Sequence, residues 1–93
     1  MAAMTADEIR AACRELTGWE ADVEAPSIAR EYQFPTFPAA VRFVDFVAEL
    51  AEAADHHPDI DIRYNRVRLT LSTHSAGGVT EKDFALARAI DHC

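Results

Sequence analysis

Two pairs of short segments in which apolar and polar residues alternate constrain the fold of this chain more than any other feature. The first pair covers residues 19–24 and 27–34, and the second covers residues 60–64 and 67–74, with Asn65-Arg66 as the expected turn of the second pair. A period of two is typical of strands that bury one face and expose the other. Because connections this short join antiparallel neighbours, each pair predicts a hairpin.

Capping signals place helices before the first hairpin and after the second. Thr5 and Glu8 have the spacing of a capping box, in which each side chain bonds the backbone N–H of the other residue. The first helix is therefore expected from residue 6 to residue 17. Thr80 and Asp83 repeat the spacing at the start of the last helix, and apolar residues at helical intervals follow both boxes.

A longer helix is expected between the hairpins, from about residue 37 to residue 55, and Pro58 ends it because the residue before a proline avoids the helical region. Its apolar stripe is wider than one core-facing side requires. Either the fold flanks this helix on two sides, or part of it meets another subunit. A short chain gains stability by burying such a stripe against a copy of itself, so we expect a homodimer or homotetramer. The stripe consists of Phe37, Val41, Phe43, Val44, Phe46, Val47, Leu50, Ala51 and Ala54.

The resulting order is α-β-β-α-β-β-α, which predicts an α+β fold: a four-stranded antiparallel sheet with helices packed on one face. Ninety-three residues without a linker or a repeat predict a single domain over residues 1–93. A net charge of -7 argues against nucleic acid and against anionic membrane surfaces as partners. No apolar run is long enough to span a membrane and no signal peptide is recognisable, so the expected location is the cytoplasm.

Three of the four histidines fall at two expected junctions, His56 and His57 at the end of the long helix and His74 at the end of the last strand. Glu52 lies four residues before His56, so both are expected on one helix face, with the carboxylate orienting the ring. An imidazole can donate and accept protons near neutral pH. Acid–base catalysis, metal binding and a purely structural role are the three interpretations. Metal binding has the least support, because neighbouring residues on a helix diverge.

Four short motifs stand in order along the chain: Glu52-x-x-x-His56-His57-Pro58, Tyr64-Asn65, Leu69-x-Leu71-x-Thr73-His74 and Gly78-x-Thr80-x-x-Asp83. Together they resemble the motifs of the pterin-4a-carbinolamine dehydratases, and the resemblance covers nearly the whole chain. It implies a lyase that removes water from a 4a-hydroxytetrahydropterin and yields a quinonoid dihydropterin, as in tetrahydrobiopterin recycling after an aromatic amino acid hydroxylase has acted. It further implies an oligomer, and a reaction that needs neither a metal nor a redox cofactor.

The resemblance also implies roles for individual residues. His56 and His74 are the acid–base candidates, His57 mainly binds the pterin, and Glu52 orients His56. Asp83 matches the last motif, where it is either a site residue or only the cap of the last helix. The implied substrate-binding residues are Asp55, His56, His57, Ser72, Thr73, His74 and Ser75.

Two alternative functions remain at this point. One is a non-catalytic binding module, because some members of the resembling family act as dimerisation cofactors for a transcription factor. The other is a dehydratase-like protein of another pterin pathway. The intact histidine cluster with Glu52 favours catalysis. Trp19, Tyr32 and Phe34 are expected in the core rather than stacked on a pterin.

Overall fold

The computed structural model describes residues 2–22, 24 and 26–92, which form three α-helices, four strands and one 3-10 helix. Val23, on the expected continuation of the first strand, lies outside the described residues. No helix in the described part of the chain has the length and apolarity needed to cross a membrane. In chain order the elements are α1 (Ala6–Arg14), β1 (Glu20–Asp22), β2 (Ser27–Gln33), α2 (Phe37–Ala54), β3 (Asp59–Arg63), β4 (Arg66–Leu71), the 3-10 helix (His74–Ala76) and α3 (Glu81–Asp91).

The four strands form one antiparallel sheet in the order β1-β2-β4-β3. The two hairpins join through β2 and β4, in a register that starts with Ile28 opposite Leu71. In the second hairpin, Asp59 at the start of β3 faces Thr70 near the end of β4. The loop before β3 and the loop after β4 therefore lie side by side at one end of the sheet. This topology brings together the two segments that carry the three clustered histidines.

The helices cover one face of the sheet, which confirms the expected α+β architecture. Ile28, Val67 and Leu69 point to that face and are completely buried. On the opposite face, side chains such as Glu31 and Arg68 are exposed to solvent. The helices contribute to the same core through residues that include Ile9, Ala40, Val47, Ala51, Phe84, Leu86, Ala87 and Ile90.

The capping box expected at the start of α1 is present. The Glu8 N–H donates to Thr5 Oγ1 at 3.2 Å, and the Thr5 N–H donates to Glu8 Oε1 at 2.8 Å. Hydrogen bonds from the backbone N–H and the side chain of Thr5 lower the pKa of the Glu8 carboxyl below its ordinary value. The helix ends at Arg14 rather than at residue 17. The chain tightens there into three-residue turns and then changes direction at Gly18, whose φ is 93°.

The turn between β3 and β4 consists of Tyr64 and Asn65, one residue earlier than expected. Arg66 instead pairs with Arg63 at the end of the ladder, and Tyr64 takes the left-handed conformation with a φ of 55°. The Asn65 side-chain amide donates to the Phe34 carbonyl at 2.8 Å, and the Phe34 N–H donates to the Asn65 carbonyl at 2.9 Å. These two hydrogen bonds hold Asn65 against the end of β2.

The carboxylate of Asp91, at the end of α3, connects that helix to the first hairpin by hydrogen bonds and an ion pair. Trp19 is 4% exposed, and its indole N–H donates to Asp91 Oδ2 at 2.8 Å. The Tyr32 hydroxyl donates to Asp91 Oδ1 at 2.7 Å, and Arg30 forms an ion pair with that oxygen at 3.1 Å. Phe34 packs against the core as a partly buried residue. The three aromatic side chains therefore belong to the scaffold, as expected.

Candidate active site

The end of α2 determines where His56 and His57 point. The helix stops at Ala54, and Asp55 takes the left-handed conformation with a φ of 49° and a ψ of 44°. The His56 N–H still donates to the Ala51 carbonyl at 3.0 Å. Both histidines therefore follow the helix instead of continuing it, and the spacing rules of a helix do not apply to their side chains.

His56 is held by a carboxylate from α3. Its Nε2 lies 2.5 Å from Oδ1 of Asp83, and the two side chains are 11% and 0% exposed. The other oxygen, Asp83 Oδ2, accepts from the Thr73 hydroxyl at 2.9 Å and from the Thr80 N–H at 2.9 Å. The hydroxyls of Thr73 and Thr80 lie 2.8 Å apart. Asp83 thus caps α3, as the sequence predicted, and contacts a site histidine at the same time.

This network determines which nitrogen of His56 contacts the carboxylate. Thr73 and Thr80 donate to Asp83, so the carboxylate is satisfied as an ionised group that only accepts. A buried charge is tolerated when hydrogen bonds and a partner compensate it. His56 consequently carries its hydrogen on Nε2. Nδ1 has no hydrogen-bond partner among the described residues. When Nδ1 takes a proton, the resulting imidazolium forms an ion pair with Asp83.

The expected contact between Glu52 and His56 is wrong. Glu52 Oε1 instead lies 2.7 Å from Nε2 of His57, and both side chains are largely exposed. The reason is the left-handed Asp55, which turns the chain so that His56 points toward α3 and His57 toward the exposed side of α2. An exposed pair of this kind orients a side chain without holding it firmly.

His74 reaches the site from a 3-10 helix, not from the end of a strand as expected. β4 ends at Leu71, and a bridge between Thr73 and Gly78 closes the loop, with the Thr73 N–H donating to the Gly78 carbonyl at 2.7 Å. Gly77 allows this closure because its φ is 72°. The His74 side chain is exposed, whereas that of Thr73 is buried in the Asp83 network.

The two histidine segments line one open cleft of about 380 Å³, a size at the lower end of small-ligand sites. All seven residues expected to bind substrate lie on it, but Glu52 does not. Lys82 was not expected there. It is the chain's single lysine and adds a positive charge beside the imidazoles. Its position next to Asp83 in the last motif could have predicted its place in the cleft. The cleft is lined by Asp55, His56, His57, Ser72, Thr73, His74, Ser75 and Lys82.

The cleft offers acid–base groups of different character. His56 is mostly buried and backed by a carboxylate, whereas His57 and His74 are exposed. In residues 2–22, 24 and 26–92 no group of three or more histidine, cysteine or carboxylate side chains is placed to hold a metal ion. His56 and His57 are adjacent in the chain, yet their rings contact different carboxylates, Asp83 and Glu52.

Comparison with known proteins identifies the class of protein to which this fold and cleft belong. Residues 2–93 match the family model described as pterin 4 alpha carbinolamine dehydratase. The chain therefore belongs to the pterin-4a-carbinolamine dehydratase family, as its motifs indicated.

Similar proteins cover nearly the full length of the chain. A protein of Acidobacterium capsulatum, named provisionally as a pterin-4-alpha-carbinolamine dehydratase, is 54% identical over 98% of this chain and 97% of its own. One of Chloroflexus aurantiacus with the same provisional name is 68% identical over 74% of each chain. The crystal structure of a transcriptional coactivator/pterin dehydratase from Brucella melitensis superposes with a TM-score of 0.91, at 40% identity over 97% of this chain and 96% of that chain.

A more distant structure shares the fold alone. It is a pterin dehydratase-like protein described as a RuBisCO assembly factor in the alpha-carboxysome. It aligns with a TM-score of 0.69 at 24% identity, over 81% of this chain and 87% of that chain.

Proposed function

We propose that this chain is a lyase that dehydrates a 4a-hydroxytetrahydropterin to the quinonoid dihydropterin, with its histidines as general acid and base. The observation that supports this most strongly is the buried pair of His56 and Asp83 at the wall of a cleft that also carries His74. A carboxylate behind a histidine fixes its tautomer and stabilises the imidazolium that forms during proton transfer.

The reaction requires one proton to leave N5 and one to reach the departing hydroxyl. In the proposed mechanism Nδ1 of His56 takes the proton from N5, while Asp83 stabilises the imidazolium. His74, as an imidazolium, donates a proton to the hydroxyl on C4a. The C4a–O bond breaks, the C4a–N5 double bond forms, and water leaves. Solvent returns both histidines to their starting protonation states. His57 and Lys82 hold the pterin by hydrogen bonds.

A stopped-flow absorbance assay tests this function. A 4a-hydroxytetrahydropterin is generated by an aromatic amino acid hydroxylase, and its dehydration is followed with and without the protein. We expect a rate proportional to protein concentration and unchanged by a strong chelator, because no step uses a metal. Positioned acid–base groups typically contribute a factor of roughly 10²–10⁴. A rate equal to that of the spontaneous reaction would refute the proposal and leave partner binding as the function, as in the RuBisCO assembly factor that shares the fold.

The same proposal includes the pathway that the reaction serves and its location in the cell. The product is a quinonoid dihydropterin that a reductase can return to the tetrahydropterin. The chain would thus serve an aromatic amino acid hydroxylase in the cytoplasm. The net charge of -7 continues to argue against nucleic acid as a partner.

We also propose that the chain works as a homodimer or homotetramer with α2 at or near the interface. The structure uses part of the apolar stripe internally, since the Phe43 ring packs 4.7 Å from that of Tyr32. Phe46 is 36% exposed and Phe37 is 48% exposed, so another part remains at the surface. Apolar side chains left exposed on one helix favour association with a copy of the same helix.

A charge placed on the exposed part of the stripe tests the assembly. Phe46→Glu should shift the protein toward monomer and lower its melting temperature, because burying an unpaired carboxylate in an interface is costly. Ala48→Glu is the matched control, since Ala48 is exposed and lies about 200° away around the helix from Phe46. Light scattering at micromolar concentration provides the mass. A wild-type mass near 10.3 kDa would contradict the assembly, because it equals that of one chain.

A further inference from the structure

The hydroxyl groups of Thr73 and Thr80 form a buried chain behind the pair of His56 and Asp83. Their oxygens lie 2.8 Å apart, and the Thr73 oxygen also lies 2.9 Å from Asp83 Oδ2. Thr73 is 5% exposed and Thr80 is completely buried. Neither hydroxyl takes part in the proposed proton transfers, yet the chain ends on the carboxylate that contacts His56.

Counting the hydrogens fixes the direction of each hydrogen bond in this chain. A threonine hydroxyl carries one hydrogen, and an ionised carboxylate only accepts. The hydrogen of Thr73 therefore points to Asp83, so Thr80 must donate the hydrogen bond between the two threonines. The Thr80 oxygen accepts in turn from the Lys82 N–H at 3.3 Å. All these hydrogens point the same way, from the start of α3 toward the Asp83 carboxylate.

The capping box of α1 shows that a cap does not require this chain. Thr5 and Glu8 occupy the same two positions there, and both are exposed. Within the described part of the chain, the Thr5 hydroxyl has the Glu8 N–H as its hydrogen-bond partner. Capping therefore needs neither burial nor a second threonine. The contact between Thr80 and Thr73 calls for a different explanation.

We propose that the two threonines are positioning residues, which orient the Asp83 carboxylate and through it the His56 ring. The inference rests on the proposed function, in which Nδ1 of His56 takes a proton from the substrate. Two donors on Oδ2, the Thr73 hydroxyl and the Thr80 N–H, hold the carboxylate so that Oδ1 stays directed at Nε2 of His56. The Thr80 hydroxyl keeps the Thr73 hydroxyl in place by donating to its oxygen.

A double-mutant cycle on kcat tests this role. Thr73→Val keeps the shape of the side chain and removes its hydroxyl, so kcat should fall roughly three- to tenfold with little change in KM, the loss expected for one hydrogen bond. Thr73→Ser restores the hydroxyl and should restore kcat. In an Asp83→Asn background, Thr73→Val should have almost no further effect, because residues that act through one another are not additive. A loss as large in that background as in the wild type would overturn the inference.

Thr80→Val and Thr5→Val are a matched pair of cap variants. Each removes the hydroxyl at the start of a capping box and should lower the melting temperature. Thr80→Val should also lower kcat, by roughly two- to fivefold, because its hydroxyl acts on Asp83 through Thr73. Thr5→Val should leave kcat at the wild-type value. Wild-type kcat in both variants would show that the Thr80 hydroxyl only caps α3.

Hydrogen exchange at the His56 ring separates this inference from the proposed function, because the measurement needs no substrate. The Nε2 hydrogen exchanges with solvent when its contact with Asp83 opens, and nuclear magnetic resonance follows the rate. Thr73→Val should speed up this exchange roughly three- to tenfold, whereas Thr5→Val should not change it. An unchanged rate in Thr73→Val would overturn the positioning role. Slow exchange in a wild-type protein that does not accelerate dehydration would instead refute the proposed function.

Discussion

An Asp83→Asn variant is expected to lose a factor of roughly 10² or more in kcat with little change in KM, the signature of an interaction that acts in the transition state. Asparagine fills the same space, but its single carbonyl oxygen cannot accept from His56, Thr73 and Thr80 together. Its amide also offers hydrogen to His56 Nε2, which favours the opposite tautomer. His56 Nδ1 would then carry a hydrogen and could no longer take one from the substrate.

The same substitution should weaken the fold, because Asp83 is fully buried and caps α3. Leaving one buried donor unpaired costs about 1–3 kcal/mol. For a domain of this size the melting temperature should fall by roughly 5–20 °C. Glu8→Ala is the control for capping alone, since Glu8 occupies the same place in the capping box of α1. It should lower stability slightly and leave kcat unchanged. If Asp83→Asn were as fast as the wild type, Asp83 would be a cap and nothing more.

Substitution of the histidines one at a time should separate their roles. His56→Ala and His74→Ala are each expected to lower kcat by roughly 10²–10⁴ and to raise KM much less, because each removes a proton-transfer group. His57→Ala should chiefly raise KM, since His57 is exposed and, among the described residues, is paired with Glu52. His92→Ala is the control, because His92 lies at the other end of α3 and should have no effect.

Stability gives a second readout on the same variants. Removing the His56 ring leaves the Asp83 carboxylate buried without its partner, which is strongly destabilising for a paired buried charge. His56→Ala should therefore melt at a lower temperature, whereas His74→Ala, at an exposed position, should not. Wild-type rates in all of His56→Ala, His57→Ala and His74→Ala would show that the site assignment is wrong.

The features that follow from neighbouring residues could be predicted from the sequence. The capping boxes of Thr5 and Thr80 depend on residues three apart, and both are present. The pairing of the hairpins depends on alternation and short turns. The residues expected to line the histidine cleft were implied by the resemblance of the motifs to the dehydratase family, and all seven lie on the cleft.

The contacts that the sequence did not predict depend on single backbone conformations or on distant residues. The pair of His56 and Asp83 joins positions 27 residues apart. Placing Glu52 beside His56 assumed that the helix continues, whereas Asp55 takes the left-handed conformation. No local sequence pattern predicts the left-handed conformation at an aspartate, because glycine is the residue usually found at that position after a helix. The turn at Tyr64 was missed for the same reason.

The fastening of α3 by Asp91 has a consequence for spectroscopy. Trp19 is the single tryptophan of the chain, and its buried indole is bonded to Asp91. Asp91 lies eight residues after Asp83, about 12 Å further along the helix axis. The tryptophan fluorescence of this protein therefore comes from one ring, at the end of α3 opposite to the histidine cleft. Emission from Trp19 should shift to longer wavelength when α3 leaves the sheet and should stay constant when only the chemistry of the cleft is changed.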